Sequence, residues 1–187
     1  MTINRLTHYI LLISLLFLNS LNAQQESKTP NVIFYLSDDQ DLLDYGVYGN
    51  PNVQTSNADL LATQGIKFTN FYTGQAICAP SRSQIFTGMY PVKNGCMANH
   101  IAVKPDIKSI TSLLKESGYE VVLAGKSHVK PSKVFDWTHY FPKVSNRYLP
   151  LEKIDNYLKN VNKPFCLIIA SDYPHGPFPK TDNYNKA

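Results

Sequence analysis

Residues 118–128 read Gly118-Tyr119-Glu120-Val121-Val122-Leu123-Ala124-Gly125-Lys126-Ser127-His128. The glycine suits the C-cap of a helix predicted over Ile107–Ser117, because a left-handed residue there carries no Cβ penalty. Tyr119–Ala124 then forms a short, continuous apolar strand, and two polar groups able to do chemistry, Lys126 and His128, follow it. A helix closed by glycine, a strand apolar on both sides and polar groups beyond its carboxyl end together describe one repeat of a helix-covered parallel sheet.

The same alternation runs outward in both directions. Upstream, Asn31–Leu36 reads as a strand, Asn57–Gln64 as a helix closed by Gly65, and Ile66–Tyr72 as an aromatic-rich strand by its alternation. Pro80 can open a helix, which stops near Gly88. Downstream, Leu151–Asn160 reads as a helix and Phe165–Ala170 as a strand, while Lys130–Leu149 reads as a long loop on the site side. The expected fold class is α/β, a mainly parallel sheet sandwiched by helices.

Ligands of such sheets bind beyond the carboxyl ends of the strands. Four groups fall there: Asp38 and Asp39 after the first strand, Cys78 after the second, Lys126 and His128 after the third, and His175 after the fourth. Paired aspartates in a loop form either a solvated acidic turn or an oxygen site for a hard cation such as calcium. Cys78 is either a buried structural thiol or a nucleophile at the positive end of a helix, with Arg82 one turn on. Lys126 and His128 are either an exposed lysine with a capping histidine or members of the site. His175, between Pro174 and Pro177, is either a packing residue or a site residue held in a rigid loop.

Bulk properties narrow the class. The chain has 187 residues, enough for one domain with a real core. Its net charge of +4 suits an anionic substrate, and no lysine- or arginine-rich run marks a nucleic-acid partner. Arg5 precedes the apolar run Tyr9–Leu18, which is too short for the roughly 20 residues that span a bilayer. Residues 1–23 are therefore expected to be a secretory peptide, with no stable membrane insertion and an exported, periplasmic or secreted product. Residues 24–187 follow as the mature portion. Of three cysteines, Cys96 and Cys166 remain once Cys78 is set aside; a buried thiol at Cys166 is preferred over a disulfide.

The string Cys78-Ala79-Pro80-Ser81-Arg82, running on to Thr87-Gly88, resembles the hallmark of the sulfatase family, with Ile85 where leucine is usual. Gly118-Tyr119 followed by Gly125-Lys126-Ser127-His128 resembles the second sulfatase motif, and Pro174-His175-Gly176-Pro177-Phe178 resembles a third element. With the opening Pro30-Asn31-Val32 and the aspartate pair, the likeness covers about residues 30–180. Gly125–Val129 with Phe135-Asp136-Trp137 is most similar to the heparan N-sulfatase (sulfamidase) branch.

The resemblance implies an alkaline-phosphatase-like core whose cysteine, Cys78, is oxidised to formylglycine by a transiently bound formylglycine-generating enzyme. It implies one calcium ion held by Asp38, Asp39 and the residue at 78. It assigns Arg82 and that ion to the attacking oxygen, Lys126 to the sulfate oxygens and the diol, His128 to the base that removes the second hydroxyl's proton, and His175 to sulfate or the leaving oxygen. The implied reaction is hydrolysis of sulfate esters or sulfamates on a sulfated sugar or polysaccharide. Family members are much longer, with a second metal-binding pair and a further lysine downstream. The chain is thus expected to be an N-terminal portion with exposed strand edges and a half-built calcium site, which would leave the piece alone inactive. Three alternatives stand: a phosphonate or phosphodiester hydrolase of the same superfamily, a non-catalytic remnant that at most binds anions, and a cysteine-thiol hydrolase.

Overall fold

The computed structural model describes residues 4, 29–144 and 147–177, so the leader expected at 1–23 lies, Asn4 aside, outside the described residues. The chain divides into Met1–Pro30 and Asn31–Ala187; the fold below is that of the second unit. Among the described residues no helix is long and apolar enough to cross a membrane.

Four strands form one wholly parallel sheet: β1 (Val32–Asp38), β2 (Glu120–Gly125), β3 (His139–Pro142) and β4 (Phe165–Pro174), in the spatial order β1-β4-β2-β3. The register pairs Val122 with Leu167 and Ile33 with Leu167 across the two sides of β4. Parallel strands need long crossovers, and the helices supply them. These are α1 (Ser56–Gln64), α2 (Cys78–Thr87), the single turn α3 (Pro91–Asn94), α4 (Ile110–Glu116) and α5 (Leu151–Asn160).

Alternation along the central strands sends side chains to opposite faces. Val121, Leu123, Cys166 and Ile168 point to one face, where they meet Ala79 and Phe86 of α2 together with Cys96, Val103 and Phe135. Val122, Ala124, Phe165 and Leu167 point to the other, against Ile154 and Tyr157 of α5. Burying Phe86, 1% exposed, contributes on the order of 2–3 kcal/mol from area alone. The core therefore holds α2, and with it Cys78, rigidly against the sheet.

The expected α/β architecture is present, with five local corrections. Ile66–Tyr72 is an irregular segment, not a strand, and Ile66, Phe68, Phe71 and Tyr72 are all exposed. Cys78 is consequently reached through a loop from α1. The stretch 130–149 contains β3, whose pairing with β2 extends one residue back through Thr138 N–H to the Val121 carbonyl (2.8 Å). Helix α2 begins at Cys78, two residues before Pro80, and α4 begins at Ile110, where Ser109 caps it with a reciprocal Ser112 contact. Strand β4 continues past Ala170 to Pro174, carrying polar residues into the site.

β1 lies at one edge of the sheet, and Ile33 and Tyr35 are 62% and 60% exposed. Among the described residues no strand pairs with the outer edge of β1. Cys96 and Cys166 are buried free thiols, as preferred from the sequence for Cys166.

Candidate active site

Asp38 is the last residue of β1, and its carboxylate is 4% exposed. The Arg82 guanidinium stands 3.4 Å from Asp38 Oδ1, and the Lys126 ammonium bonds Asp38 Oδ2. Arg82 also donates from Nη1 to the Lys126 carbonyl at 2.8 Å, tying α2 to the end of β2. Burial alone would raise the Asp38 pKa; the bonds and charges of Lys126 and Arg82 outweigh it and leave the carboxyl below its ordinary value.

Lys126 is delivered by a glycine. Gly125 has φ +102, and a Cβ there would collide with the Ala170 carbonyl and lie 2.9 Å from Leu149 Cδ2. Only glycine lets β2 end this close to β4, where Lys126 N–H donates to the Ala170 carbonyl (2.9 Å). The Lys126 ammonium then sits between Asp38 and Asp172 Oδ1, the latter 3.2 Å away. Burial pushes the Lys126 pKa down, and the two carboxylates reverse this to hold it above its usual value.

Cys78 occupies the first turn of α2. Asn99 Oδ1 accepts from Ala79 N–H at 2.9 Å and so caps the helix from a distant loop, since Ile77 offers no side-chain cap. Buried Asn94 braces the far end, donating to Ser83 Oγ (3.0 Å) and the Met89 carbonyl (3.1 Å). Burial and the neighbouring Asp38 push the Cys78 thiol up despite Lys126. A thiolate is therefore disfavoured: Arg82, expected from its helical spacing to act on the sulfur, pairs with the aspartate.

His128 has φ +57, and its buried Nδ1 has no hydrogen-bond partner among the described residues. The His100 ring packs on it with centroids 5.1 Å apart. Burial, with Lys126, His100 and Arg82, holds the imidazole below its ordinary pKa. His175 follows β4, and its Nε2 lies 3.7 Å from Asp39 Oδ2. Asp38, Cys78 and His175 offer ligand atoms all within 4.8 Å of one another; Asp39, whose side chain is 60% exposed, lies outside this group but approaches His175 and lines the same cavity as Cys78.

A cavity of about 260 Å³ is lined by Asp38, Asp39, Gln40, Thr73, Cys78 and Arg82; Lys126, His128 and His175 are not among its lining residues. Asp38, Cys78, Arg82, Lys126 and His175 thus meet beyond the carboxyl ends of the strands, and His128 packs beside them on His100. Sequence reasoning missed Asp172 and Arg147. A charged residue in the prolonged apolar strand was the available signal for Asp172; Arg147 meets it across 25 positions of chain, which leaves no local pattern.

Residues 30–187 match the sulfatase family. The chain belongs to that family. It is 58% identical over 157 residues to an ulvan-active sulfatase of Formosa agariphila, an alignment covering 81% of this chain and 32% of the relative. An N-acetylglucosamine-6-O-sulfatase of Bacteroides thetaiotaomicron is 31% identical, with the same two coverages. Among solved structures, a protein in complex with its substrate D-glucosamine-2-N,6-O-disulfate superposes with a TM-score of 0.69 at 27% identity, covering 83% of this chain and 40% of that one. A phosphonate monoester hydrolase of Agrobacterium radiobacter shares the fold, with a TM-score of 0.70 at 17% identity and coverage of 84% and 44%. This sulfatase-family chain spans about a third of the length of the curated relatives it matches.

Proposed function

We propose that the protein hydrolyses sulfate esters on a sulfated sugar or polysaccharide, with formylglycine formed from Cys78 and one calcium ion. The observation that carries this reading is the buried cluster of Asp38, Arg82 and Lys126 around the first turn of α2, open to a cavity. A site with two fixed cations beside a reactive position favours a tetrahedral anion.

The donor set fits a calcium ion. Asp38 and Asp39 would supply carboxylate oxygens, Asp38 in exchange for part of its pairing with Arg82 and Lys126, and the sulfur of Cys78, grouped with Asp38 and His175, marks where the modified residue would place its own oxygens. Such oxygen donors suit a hard cation with irregular geometry. When bound, calcium would supply positive charge that lowers the pKa of the attacking hydroxyl. The hydrated aldehyde at position 78 would supply that hydroxyl. Around it, Arg82 and Lys126 would offset charge on the oxygens, with Lys126 assigned to the sulfate. His128, whose pKa is lowered and whose Nδ1 has no partner among the described residues, would take up a proton, and His175 would act on the leaving oxygen.

The relative with 58% identity is named for ulvan, so a sulfated polysaccharide of that kind is the substrate to try first. Sulfamates belong to the same reading, because the same tetrahedral sulfuryl group is transferred. We propose export as well, which the sulfated polysaccharide substrate would require.

The test has two parts. Peptide mass spectrometry across Cys78, after co-expression with a formylglycine-generating enzyme, should show a loss of roughly 18 Da, the exchange of SH and H for a carbonyl oxygen. The full-length protein should then release sulfate from ulvan, and Cys78→Ala should abolish release. Preferred hydrolysis of a phosphodiester would favour the phosphonate or phosphodiester alternative; an unmodified Cys78 with no turnover would favour the remnant.

A further inference from the structure

Asp172 lies in the extension of β4 beyond Ala170 and is 4% exposed, yet none of the roles assigned above uses it. Its Oδ1 stands 3.2 Å from Lys126 Nζ, and its Oδ2 accepts from Lys143 Nζ at 2.7 Å and Arg147 Nε at 2.8 Å. A carboxylate this buried is tolerated only with charged partners. Burial would raise its pKa, and the bonds from Lys143, Arg147 and Lys126 overcome that and hold it well below the carboxylate range.

Arg147 reaches Asp172 from the crossover between β3 and α5, with its own backbone at φ +71. Its guanidinium grips the whole segment that carries His175. Nε donates to the Asp172 carboxylate, Nη2 to the carbonyls of Asp172 (2.7 Å) and His175, and Nη1 to the Pro177 carbonyl (3.1 Å). Its face lies 4.9 Å over the Tyr173 ring. One planar fork therefore satisfies three carbonyls and a carboxylate that loop geometry alone would leave to water.

The consequence falls on two residues of the proposed site. Lysine carries a flexible four-carbon stem whose ordering is entropically unfavourable. Lys126 is fixed because carboxylates from two strands, Asp38 of β1 and Asp172 of β4, hold its ammonium at once. His175 is fixed because its own carbonyl, and that of Pro177 two residues on, both accept from Arg147.

We infer that Arg147 and Asp172 are positioning residues of the site: their ion pair sets the Lys126 ammonium and the His175 loop at the distances that turnover of the sulfate group needs. This rests on the sulfatase reading proposed above and names the two further residues on which that reading depends. Neither residue touches substrate in this arrangement; both act through Lys126 and His175.

Two measurements test it. In the modified full-length protein, Asp172→Asn and Arg147→Ala should each lower kcat for sulfate release by about 100-fold, the scale of a misplaced reacting group, with KM within about threefold. Guanidinium ion added to Arg147→Ala should restore kcat several-fold, while sodium chloride at equal ionic strength should not. An unchanged kcat in either variant, or a rise in KM alone, overturns the inference. Amide hydrogen exchange gives a readout independent of turnover. His175 and Gly176 should exchange at least tenfold faster in Arg147→Ala while Leu123 in β2 is unchanged; equal protection at His175 and Gly176 overturns it. A wild-type protein that releases no sulfate strikes the proposed function alone, and exchange at His175 then decides whether the clamp exists.

Discussion

The guanidinium of Arg82 and the carboxylate of Asp38 face each other at 3.4 Å with only about 5% of either side chain exposed. The two residues lie 44 positions apart, one in the second turn of a helix and the other at the end of an edge strand. Their pairing explains why the helix that bears Cys78 sits where it does: neither charge can be left in this environment without the other.

Replacing Arg82 with Met should therefore be strongly destabilising. Breaking a buried pair strands the remaining charge, at a cost of about 3–5 kcal/mol. Lys126 still bonds the other Asp38 oxygen, which places the expected loss near the lower end of that range. Urea unfolding with an unchanged m-value is the measurement, and a loss below about 1 kcal/mol would contradict the structural role.

Asp39 offers a cleaner probe of metal binding than Asp38, because its side chain is 60% exposed and supports no buried pair. Its backbone has φ +58, a conformation that asparagine tolerates well. Asp39→Asn should accordingly leave the melting temperature in EDTA unchanged. It should weaken calcium binding about tenfold, or 1.4 kcal/mol, by calorimetry of the full-length protein. Unaltered affinity would remove Asp39 from the ligand set.

How much of this could be read from the chain depended on range. Gly118–His128 carried its meaning locally, as a capping glycine and a strand apolar on both faces with Lys126 and His128 beyond its end; that Gly125 must take a positive φ there was not legible. Helix α5 was equally legible, because its apolar face is written in its own spacing. Ile66–Tyr72 misled because alternating aromatics describe a strand only when a neighbour pairs with it, and here none of the described strands does. β3 was hidden for the converse reason. His139–Pro142 is four residues long and exists because β2 lies beside it. Asn99, which caps α2 from 20 residues away, belongs to the same non-local class.

The pH profile should carry the mark of His128. Burial and the charges of Lys126, His100 and Arg82 depress its pKa, with only Asp38 opposing. A base must be unprotonated, so kcat/KM should rise with pH through a midpoint below the ordinary histidine value of about 6.5 and then level off. The stability sign agrees. Between the depressed folded pKa and about 6.5 the unfolded chain binds more protons, so stability rises with pH across that window and is lost below it. His100→Ala removes one of the positive neighbours and should move the midpoint upward. His128→Ala should lower kcat by about 10²–10⁴-fold and abolish the limb. A profile that keeps its acid limb in His128→Ala would assign the proton to another group.

Gly125→Ala tests whether the approach of β2 to β4 is what delivers Lys126. The residue has φ +102, where L side chains are strained by about 1–3 kcal/mol, and the added methyl would press on the Ala170 carbonyl and on Leu149. The Lys126 N–H bond to that same carbonyl must lengthen as the strand ends part. Stability should fall by more than the strain alone, toward about 4 kcal/mol, among the larger losses seen for single substitutions. The Lys126 ammonium should also leave at least one of its two carboxylates. Thermal unfolding gives the first quantity. Nitrogen NMR of the Lys126 ammonium, compared with Lys126→Arg as an assignment control, gives the second. A Gly125→Ala protein of near wild-type stability with an unmoved Lys126 resonance would show that the close strand approach is incidental to the site.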